Sequence, residues 1–370
     1  MNLGPPIPAR SLWRRAPWGL ILVALLLTAV GILNLASASR TADASLWTSQ
    51  LVWVGGAYVV VLLLLAVDYE RLYQLAWPFW ILVVALLVAV ELRGEVAMGA
   101  QRWLVLGPIR LQPSELAKLA VILVLARLYE DDGEKPEGYG LVELWRPALV
   151  VGIPAGLTLV QPDLGTAALI GAVAGTMVLV ARVRTGTLAI LGAGGIVAGV
   201  LSWFFVLREY QKKRVLAFLD PEADILGSGY HANQSMIAVG SGRWAGKGWG
   251  QGTQTQLSFL PEQHTDFVFS VFAEEWGFRG GALLLAAYAA LCFMGLKIAA
   301  QARDRHGAFL AVGAVALIFW HTLVNIGMVT GLLPVVGVTL PFMSYGRSSG
   351  LTTVLAIGIL ANVGARRRTS

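Results

Sequence analysis

The sequence predicts an all-α integral membrane protein with about ten transmembrane helices and one large extracytoplasmic loop between helices seven and eight. Of its 370 residues, 56% are hydrophobic and only 14% are charged, and the mean hydropathy is +0.68. A water-soluble core cannot hide that much apolar surface. Apolar runs of about 20 residues recur along the chain, and a run of that length crosses a bilayer as a helix whose backbone groups pair with each other.

Ten apolar segments account for most of the chain. No internal repeat stands out, so residues 1–370 are interpreted as a single polytopic membrane domain. The connection 207–266 within it exceeds the usual loop length, which favours a functional role. Its first part, residues 207–219, mixes charges with apolar side chains and predicts a short helix on the membrane surface. The segments cover residues 17–36, 46–67, 73–92, 114–129, 145–162, 164–181, 186–206, 267–298, 307–330 and 349–364.

Basic residues predict the orientation. Arg10, Arg14 and Arg15 precede the first apolar run, which lacks a small-residue cleavage site, so we expect an anchor helix and two cytoplasmic termini. A second set of cations then lies outside, against the positive-inside rule. A side chain reaching lipid phosphate explains each one alone, but the group indicates an anionic ligand. The set comprises Arg102, Arg110, Lys212, Lys213, Arg214, Arg243, Lys247 and Arg347.

Composition and motifs disfavour several other functions. The net charge of +6 does not indicate nucleic acid, because the basic residues are scattered among apolar runs. The single cysteine, Cys292, excludes an intrachain disulfide, and the spread of the four histidines gives a zinc site little support. Six glycines between Gly240 and Gly252 surround Lys247, but Ser241 and Gly248 break the pattern of a nucleotide-binding loop.

Polar clusters stand where several helices reach the outer face. Glu115 and Lys118 have the i, i+3 spacing that shares a helix face, and Asp163 stands where it caps the sixth helix. A further cluster covers Tyr345–Ser349. Capping and local ion pairs explain each cluster alone. They do not explain why all of them meet at one membrane face, so we interpret the convergence as a site.

Three carboxylates belong to the eighth helix. Asp266 enters its outer end, and Glu274 and Glu275 follow about two turns further on. Carboxylates at membrane depth usually face a polar cavity and mark function. The alternatives are a helix cap for Asp266 and an ion pair of the two glutamates with Arg279.

Separate motifs run in order along nearly the whole chain. They are Gln101–Trp103, Gly107, Gln112–Glu115, Lys118, Gln161–Thr166, Gly229–His231, Gln234, Ser235, Gly240–Gly242, Gly246–Gly248, Gly252–Gln254, Phe259–Glu262, His264–Phe267 and Asn325–Ser349. In type and order they resemble the SEDS family (shape, elongation, division and sporulation), and most of all its rod-shape members, with the division proteins as close relatives. The sequence differs at two positions where that family usually has glycine, Arg243 and Arg347.

The resemblance implies a peptidoglycan glycosyltransferase that polymerises lipid II at the outer leaflet of the bacterial cytoplasmic membrane, for cell elongation and rod shape. Undecaprenyl pyrophosphate would be the leaving group. The inverting reaction needs one general base, and the family motif implies Asp266 for this role. The implied substrate-binding residues are Arg102, Trp103, Glu115, Lys118, Asp163, Lys247, His264, Thr265 and Ser344.

The resemblance also implies partners. They are a class B penicillin-binding protein with transpeptidase activity, the growing lipid-linked glycan, the elongation machinery and membrane lipid, with no nucleic acid. A divalent cation, Mg or Mn, stays open as a cofactor, with Glu115 and Asp163 as candidate ligands, because hard cations favour oxygen ligands.

Two other functions remain as alternatives to a glycosyltransferase. A lipid II flippase needs a polar path to the membrane midplane, and Trp320, His321 and Asn325 lie deeper than the other polar residues. A pure scaffold for cell-wall assembly is the third reading, but it does not explain clustered carboxylates and cations at membrane depth.

Overall fold

The computed structural model describes residues 9–40, 45–97, 100–107, 109–205, 207, 209–219, 228–257, 259–260 and 262–367. All ten predicted helices are present; nine have ends within a few residues of the predicted ones, and the predicted helix 267–298 is divided in two at Gly277. Parts of the predicted loop, including Pro261, and the tail residue Arg368 lie outside the described residues. The helices are α1 (Ala9–Arg15), α2 (Trp18–Ala38), α3 (Leu46–Ala66), α4 (Tyr69–Arg93), α5 (Pro113–Asp131), α6 (Trp145–Val160), α7 (Leu164–Val180), α8 (Thr185–Phe205), α9 (Glu209–Leu219), α10 (Ser228–Ser241), α11 (Thr253–Gln256), α12 (Val268–Ala300), α13 (Arg305–Val329) and α14 (Arg347–Ala365).

Eight of these helical segments are long and apolar enough to cross a membrane. Of the other two predicted spans, α7 has 17 residues, and α5 carries Glu115 and Lys118. α5 is buried along most of its length and packs against α4, α7 and α13. Its charged side chains therefore meet protein rather than lipid. α8 is the opposite case, since Thr187 alone of its residues is buried.

A three-stranded antiparallel sheet, which the sequence pattern did not predict, joins α4 to α5. Its strands β1 (Glu95–Ala97), β2 (Ala100–Leu106) and β3 (Ile109–Leu111) pair in that order. The short connection from β2 to β3 contains Gly107 at φ +62°, a backbone conformation that glycine adopts readily. β1 and β3 have three residues each and are too short to show an alternating pattern, and the seven residues of β2 do not alternate between apolar and polar side chains. The sheet matters here because β2 carries Arg102 and Trp103.

More than half of the described residues of the long connection 207–266 are helical. α9 confirms the helix predicted for residues 207–219, while its place on a membrane surface stays a prediction. α10 is tied to the bundle by Ser235, whose hydroxyl donates to the carbonyl of Val329 (2.7 Å) and lies 2.8 Å from the hydroxyl of Ser270. These bonds join α10 to α12 and α13.

α12 consists of two helices that meet at a sharp corner. Gly277 has φ +64° and ψ −165°, and it separates α12a (residues 268–276) from α12b (residues 278–300). A Cβ at Gly281 would lie 3.7 Å from Cζ of Phe269. In a straight helix these two residues, 12 positions apart, would lie about 18 Å from each other along the axis. α12a therefore folds back against α12b.

Contacts with α2 give the direction of α12a. The side chain of Asn34 donates to the carbonyl of Val268 (2.9 Å), and Ser37, one turn nearer the end of α2, donates to the carboxylate of Glu275. The start of α12a thus lies deeper along α2 than its end does. α12a is a re-entrant helix, and every residue from Val268 to Glu275 is buried.

The glycine-rich segment 240–252, which we call the glycine strap, covers the corner. A broken helix leaves carbonyl and N–H groups without intrahelical partners. Lys247 N donates to the carbonyl of Glu274 and Gly248 N donates to that of Glu275, each at 3.0 Å. Beyond the corner, Phe278 N donates to the carbonyl of Arg243 (2.8 Å). The strap therefore caps both halves of α12.

Glycine is required where the strap lies on the helix. A Cβ at Gly242 would collide with the carbonyl of Ala273, and one at Gly246 would collide with that of Glu275. The strap glycines thus allow close backbone packing, which is a structural role.

Candidate functional site

The turn that precedes α12a holds the predicted base. Residues 262–267 form turns, and Asp266 lies half-buried two residues before the helix. Phe267 occupies the N-cap position, and no side chain caps this end. The capping alternative for Asp266 is therefore not realised. Within the described residues, no hydrogen bond reaches the Asp266 carboxylate.

Three further predicted residues converge on this turn. The Ser344 hydroxyl donates to the carbonyl of Thr265 (2.6 Å), and Tyr345 N donates to the carbonyl of His264 (2.8 Å). The Thr265 hydroxyl donates to the carboxylate of Glu262 (3.0 Å). The segment that leads into α14 and the Asp266 turn are thus one packed unit, while substrate contact by His264, Thr265 and Ser344 stays a prediction.

Charges from separate elements surround Asp266. Burial raises the pKa of the Asp266 carboxyl to about 6, with help from the negative charges of Glu262 and Asp163. The guanidinium groups of Arg214 in α9 and Arg102 in β2 lower the same pKa by a smaller amount. The result is a carboxylate that is ionised at neutral pH and still basic, which is what a general base requires.

Arg102 and Asp163 are held at the junction of α6 and α7. The Arg102 guanidinium donates to the carbonyls of Gln161 (3.3 Å) and Pro162. Asp163 caps α7 as predicted, accepting from Thr166 N (3.2 Å) and the Thr166 hydroxyl (2.9 Å).

Trp103 follows Arg102 in β2 and is half-buried opposite Glu95. Arg102 and Asp163 therefore face the site from the sheet side, while substrate contact by Trp103 stays a prediction.

Glu115 and Lys118 form the predicted ion pair deep in the bundle. Lys118 Nζ lies 2.8 Å from Glu115 Oε1, and the side chain of Lys118 is fully buried. A third partner was not predicted: Nζ also lies 2.7 Å from His321 Nε2 of α13. Glu115 Oε2 is buried and has no partner among the described residues.

The candidate metal ligands are engaged by other groups in this structure. Glu115 Oε1 is occupied by the Lys118 ammonium, and Asp163 is engaged by Thr166 and by Gln112 Nε2 (3.2 Å). Across the described part of the chain, no group of three or more His, Cys, Asp or Glu side chains could hold a metal ion.

Lys247 lies in a different cluster, which we call the Glu274 cluster. The fully buried carboxylate of Glu274 is 2.7 Å from Lys247 Nζ and accepts from four further donors. These contacts tie the strap and α11 to α12a. The ion pair proposed with Arg279 is not formed in the described structure, because Lys247 pairs with Glu274 and the Arg279 guanidinium lies over the ring of Trp244 (5.5 Å). The further donors are Thr253 Oγ1, Gln254 N, Ser241 Oγ and Thr255 Oγ1.

Four residues near Asp266 were missing from the predicted site. Arg214 and Glu262 act on its charge, Asn325 donates to its carbonyl (2.8 Å), and a Cβ at Gly337 would lie 3.2 Å from its Oδ2. Arg214 already stood among the anomalous outer cations, and Glu262 belongs to the motif that contains Asp266. For Gly337 the sequence offered only membership of the last motif, and Asn325 stood out only as a member of that motif and as a polar residue deeper in its helix.

The fold and the site define a class: a multi-pass α-helical membrane protein with a charged site where loop 207–266 meets the helix ends. The chain belongs to the cell cycle protein family of FtsW, RodA and SpoVE, whose model matches residues 17–369.

Relatives and solved structures agree. Peptidoglycan glycosyltransferase MrdB of Escherichia coli (strain K12) is 44% identical over 316 residues, covering 84% of this chain and 83% of the relative. Stage V sporulation protein E of Bacillus subtilis (strain 168) is 37% identical, covering 93% and 95%. One chain of a peptidoglycan synthase complex superposes with a TM-score of 0.80 at 32% identity, covering 94% and 97%. Rod shape determining protein RodA of Thermus thermophilus superposes at 0.70 with 30% identity, covering 96% and 98%.

Proposed function

We propose that this chain is a peptidoglycan glycosyltransferase that polymerises lipid II into glycan strands, with Asp266 as general base. The enzyme class is supported by the activity in the name of the MrdB relative, with which the chain shares 44% identity. The observation that carries the mechanism is the Asp266 carboxylate, half-buried, raised in pKa to about 6 and flanked by two arginines.

The reaction is a single displacement at the anomeric carbon of the lipid-linked donor. The acceptor hydroxyl oxygen attacks this carbon from the face opposite the pyrophosphate, and its proton passes to the Asp266 carboxylate. The bond between the anomeric carbon and the pyrophosphate oxygen breaks, and undecaprenyl pyrophosphate leaves with the electron pair. One displacement converts the α-linked donor into a β-1,4 glycosidic bond.

Arg102 and Arg214 are the cations suited to the leaving group. Each approaches the Asp266 region from its own element, β2 or α9. Preorganised positive charge stabilises the negative charge that develops on the departing pyrophosphate. In the same assignment Trp103, His264, Thr265 and Ser344 shape the cavity, and the buried Lys118–Glu115 pair sets its charge. Lys247 stays a predicted substrate contact, although its ammonium is already engaged by Glu274.

The remaining assignments concern surroundings. We infer a bacterial cytoplasmic membrane location with both termini cytoplasmic and Asp266 facing outside, as the positive-inside pattern supports for the N-terminus. The partner is a class B penicillin-binding protein of the elongation machinery, an inference supported by the similar chain in a peptidoglycan synthase complex. A divalent cation cofactor stays a prediction, which titration of the polymerisation assay with Mg or Mn would test.

The test is polymerisation of purified lipid II in detergent by the wild type and by Asp266→Ala, with and without the partner and with crosslinking blocked by a β-lactam. We expect glycan polymer from the wild type and none from Asp266→Ala. The matched control is Glu209→Ala, which removes an exposed carboxylate of the same loop whose partner is Lys212.

A flippase is the rival outcome of the same preparation. Its supporting observation is the buried polar set of Lys118, His321 and Asn325, which lies inside the bundle. Transfer of lipid II between the leaflets of liposomes, together with absence of polymer under every condition, would overturn the enzyme assignment.

A further inference from the structure

Two polar side chains of α13, one turn apart, bind the segment that leads from α13 to α14. His321 Nδ1 lies 3.2 Å from the carbonyl of Thr339, and Asn325 Nδ2 donates to the carbonyl of Val338 at 2.6 Å. Both side chains are buried, and that of Asn325 completely. Extended backbone at this depth has carbonyls that need donors, and α13 supplies them.

Asn325 makes a second bond that reaches the site. Its Nδ2 also donates to the carbonyl of Asp266 at 2.8 Å. Both hydrogens of one amide are therefore used on two main-chain carbonyls, one beside the base and one in the facing segment. The rotated amide would place Oδ1 against two carbonyl oxygens, which fixes the orientation of the side chain.

The facing segment is itself in contact with the base. A Cβ at Gly337, the residue before Val338, would lie 3.2 Å from Asp266 Oδ2. Gly337 has φ +72°, a conformation that glycine adopts without strain. Arg214 donates to the carbonyl of Val335 in the same segment (3.4 Å). Residues 335–338 therefore touch both the carboxylate and one of its flanking arginines.

We propose that Asn325 is a positioning residue that sets the distance between the Asp266 carboxylate and segment 335–338, and through that segment the place of Arg214. Asn325 does not touch the substrate in this assignment. It acts through two carbonyls, and its effect on the reaction rests on the proposed role of Asp266.

His321 provides a second hydrogen bond between α13 and the same segment. A main-chain carbonyl only accepts, so Nδ1 of His321 carries the hydrogen that faces Thr339, and Nε2 accepts from the Lys118 ammonium at 2.7 Å. One segment is thus bonded through α13 to both charged centres, Asp266 by way of Asn325 and Lys118 by way of His321.

The test uses Asn325→Leu, which keeps the volume and removes both donors, and Gly337→Ala, which presses on the carboxylate from the other side. The control is Thr322→Val, a buried position on the same helix whose hydroxyl donates to Ile318 of its own helix. Polymerisation kinetics, their pH profile and hydrogen exchange of peptides covering 262–267 and 335–340 are measured on the full-length protein.

For both test variants we expect kcat to fall roughly 10- to 100-fold with little change in KM, because a small displacement of the base weakens only the transition state. The acid limb of the pH profile moves, and both peptides exchange faster in Asn325→Leu. Because the two changes act through one segment, their combined effect is smaller than the product of the single effects. Thr322→Val behaves as the wild type.

Two results overturn the proposal. The first is Asn325→Leu that polymerises with wild-type kcat and an unmoved acid limb. The second is a double variant whose loss of kcat equals the product of the losses in Asn325→Leu and Gly337→Ala. That result would show that the two residues do not act through one segment, even if Asn325→Leu folds poorly. The two proposals can fail separately. If the wild type does not polymerise lipid II but both peptides exchange faster in Asn325→Leu, the proposed function is rejected and the positioning role of Asn325 is supported.

Discussion

Two carboxylates close to α12a are surrounded by different environments. Glu274 is fully buried and saturated by Lys247 and four other donors. Asp266 is half-buried, and within the described residues no hydrogen bond reaches its carboxylate, although charged groups of both signs surround it. Asp266 belongs to the motif His264–Phe267, Glu274 follows Asp266 eight residues later, and both are near cations. The difference is hydrogen-bond saturation, which separates a carboxylate that holds structure together from one that is available for chemistry.

The largest expected effect comes from breaking the saturated cluster. Glu274→Gln leaves the Lys247 ammonium without its counterion and weakens the bonds that tie the strap to α12a. Breaking a buried ion pair lowers the free energy of unfolding by about 3–5 kcal/mol. Because Lys247 is partly exposed, we expect a loss of about 3 kcal/mol here. Thermal unfolding in detergent measures the loss.

The control is Lys212→Met, which breaks an exposed pair and costs about 0–1 kcal/mol. If Glu274→Gln were as stable as the wild type yet unable to polymerise lipid II, Glu274 would belong to the chemistry and the contrast would be lost.

The reverse effect is expected at the other carboxylate. The pKa of Asp266 is about 6 in the folded protein against 3.8 for an ordinary aspartate, so its ionisation opposes folding as pH rises between these values. Asp266→Asn should therefore stabilise the protein above pH 6, by at most about 3 kcal/mol, reduced by solvent at this half-buried side chain.

Melting temperatures at pH 8 and pH 4 test this expectation. The gain should be full at pH 8 and small at pH 4. An equal gain at both pH values would show that the ionisation of Asp266 is not its cause.

The pH dependence of polymerisation sharpens the contrast. A base with a pKa of about 6 must lose its proton to act, so kcat/KM should fall about tenfold per pH unit below that value. Glu274→Gln, assayed below its melting temperature, should keep the same acid limb. If the acid limb shifted in Glu274→Gln, the group that titrates would be Glu274 and not Asp266.

The smallest effect concerns the strap itself. Arg243 has φ +49°, a left-handed conformation that costs an L residue about 1–2 kcal/mol. Arg243→Gly removes this strain while the carbonyl that Phe278 needs remains, so we expect a gain of about 1 kcal/mol after glycine's entropic cost.

Arg347→Gly is the matched comparison, because Arg347 begins α14 and lies over the ring of Trp53 (5.2 Å). It should lose stability. A gain at both positions would point to charge rather than backbone strain.

Local spacing predicted much of this protein. Hydropathy located all ten helices, the i, i+3 rule predicted the Glu115–Lys118 pair, and sequence position predicted the Asp163 cap. Each of these depends on residues within a few positions of one another. The resemblance named His264, Thr265 and Ser344, which the structure places together beside Asp266, while the general-base role of Asp266 stays a proposal.

Long-range structure was not predictable in the same way. The apolar run 267–298 is continuous in sequence, so nothing in its hydropathy marks the corner at Gly277. The corner depends on the strap, whose backbone approaches from more than 25 residues away in the sequence. Asn325 was recognised only as a polar residue deeper in a helix, because its two carbonyl partners come from separate parts of the chain.

The corner at Gly277 also determines how deep in the bundle the Asp266 turn lies. α12b has 23 residues, about 34 Å of helix, enough to cross a bilayer by itself. α12a then runs back down beside it, so the turn at Asp266 begins below the corner, level with Asn325 inside the bundle. A lipid-linked sugar has its reactive carbon only a pyrophosphate away from the chain that anchors it in the membrane. Under the proposed mechanism, the folded-back helix lowers the Asp266 carboxylate toward that carbon, and the sugar need not be lifted from the head-group layer to react.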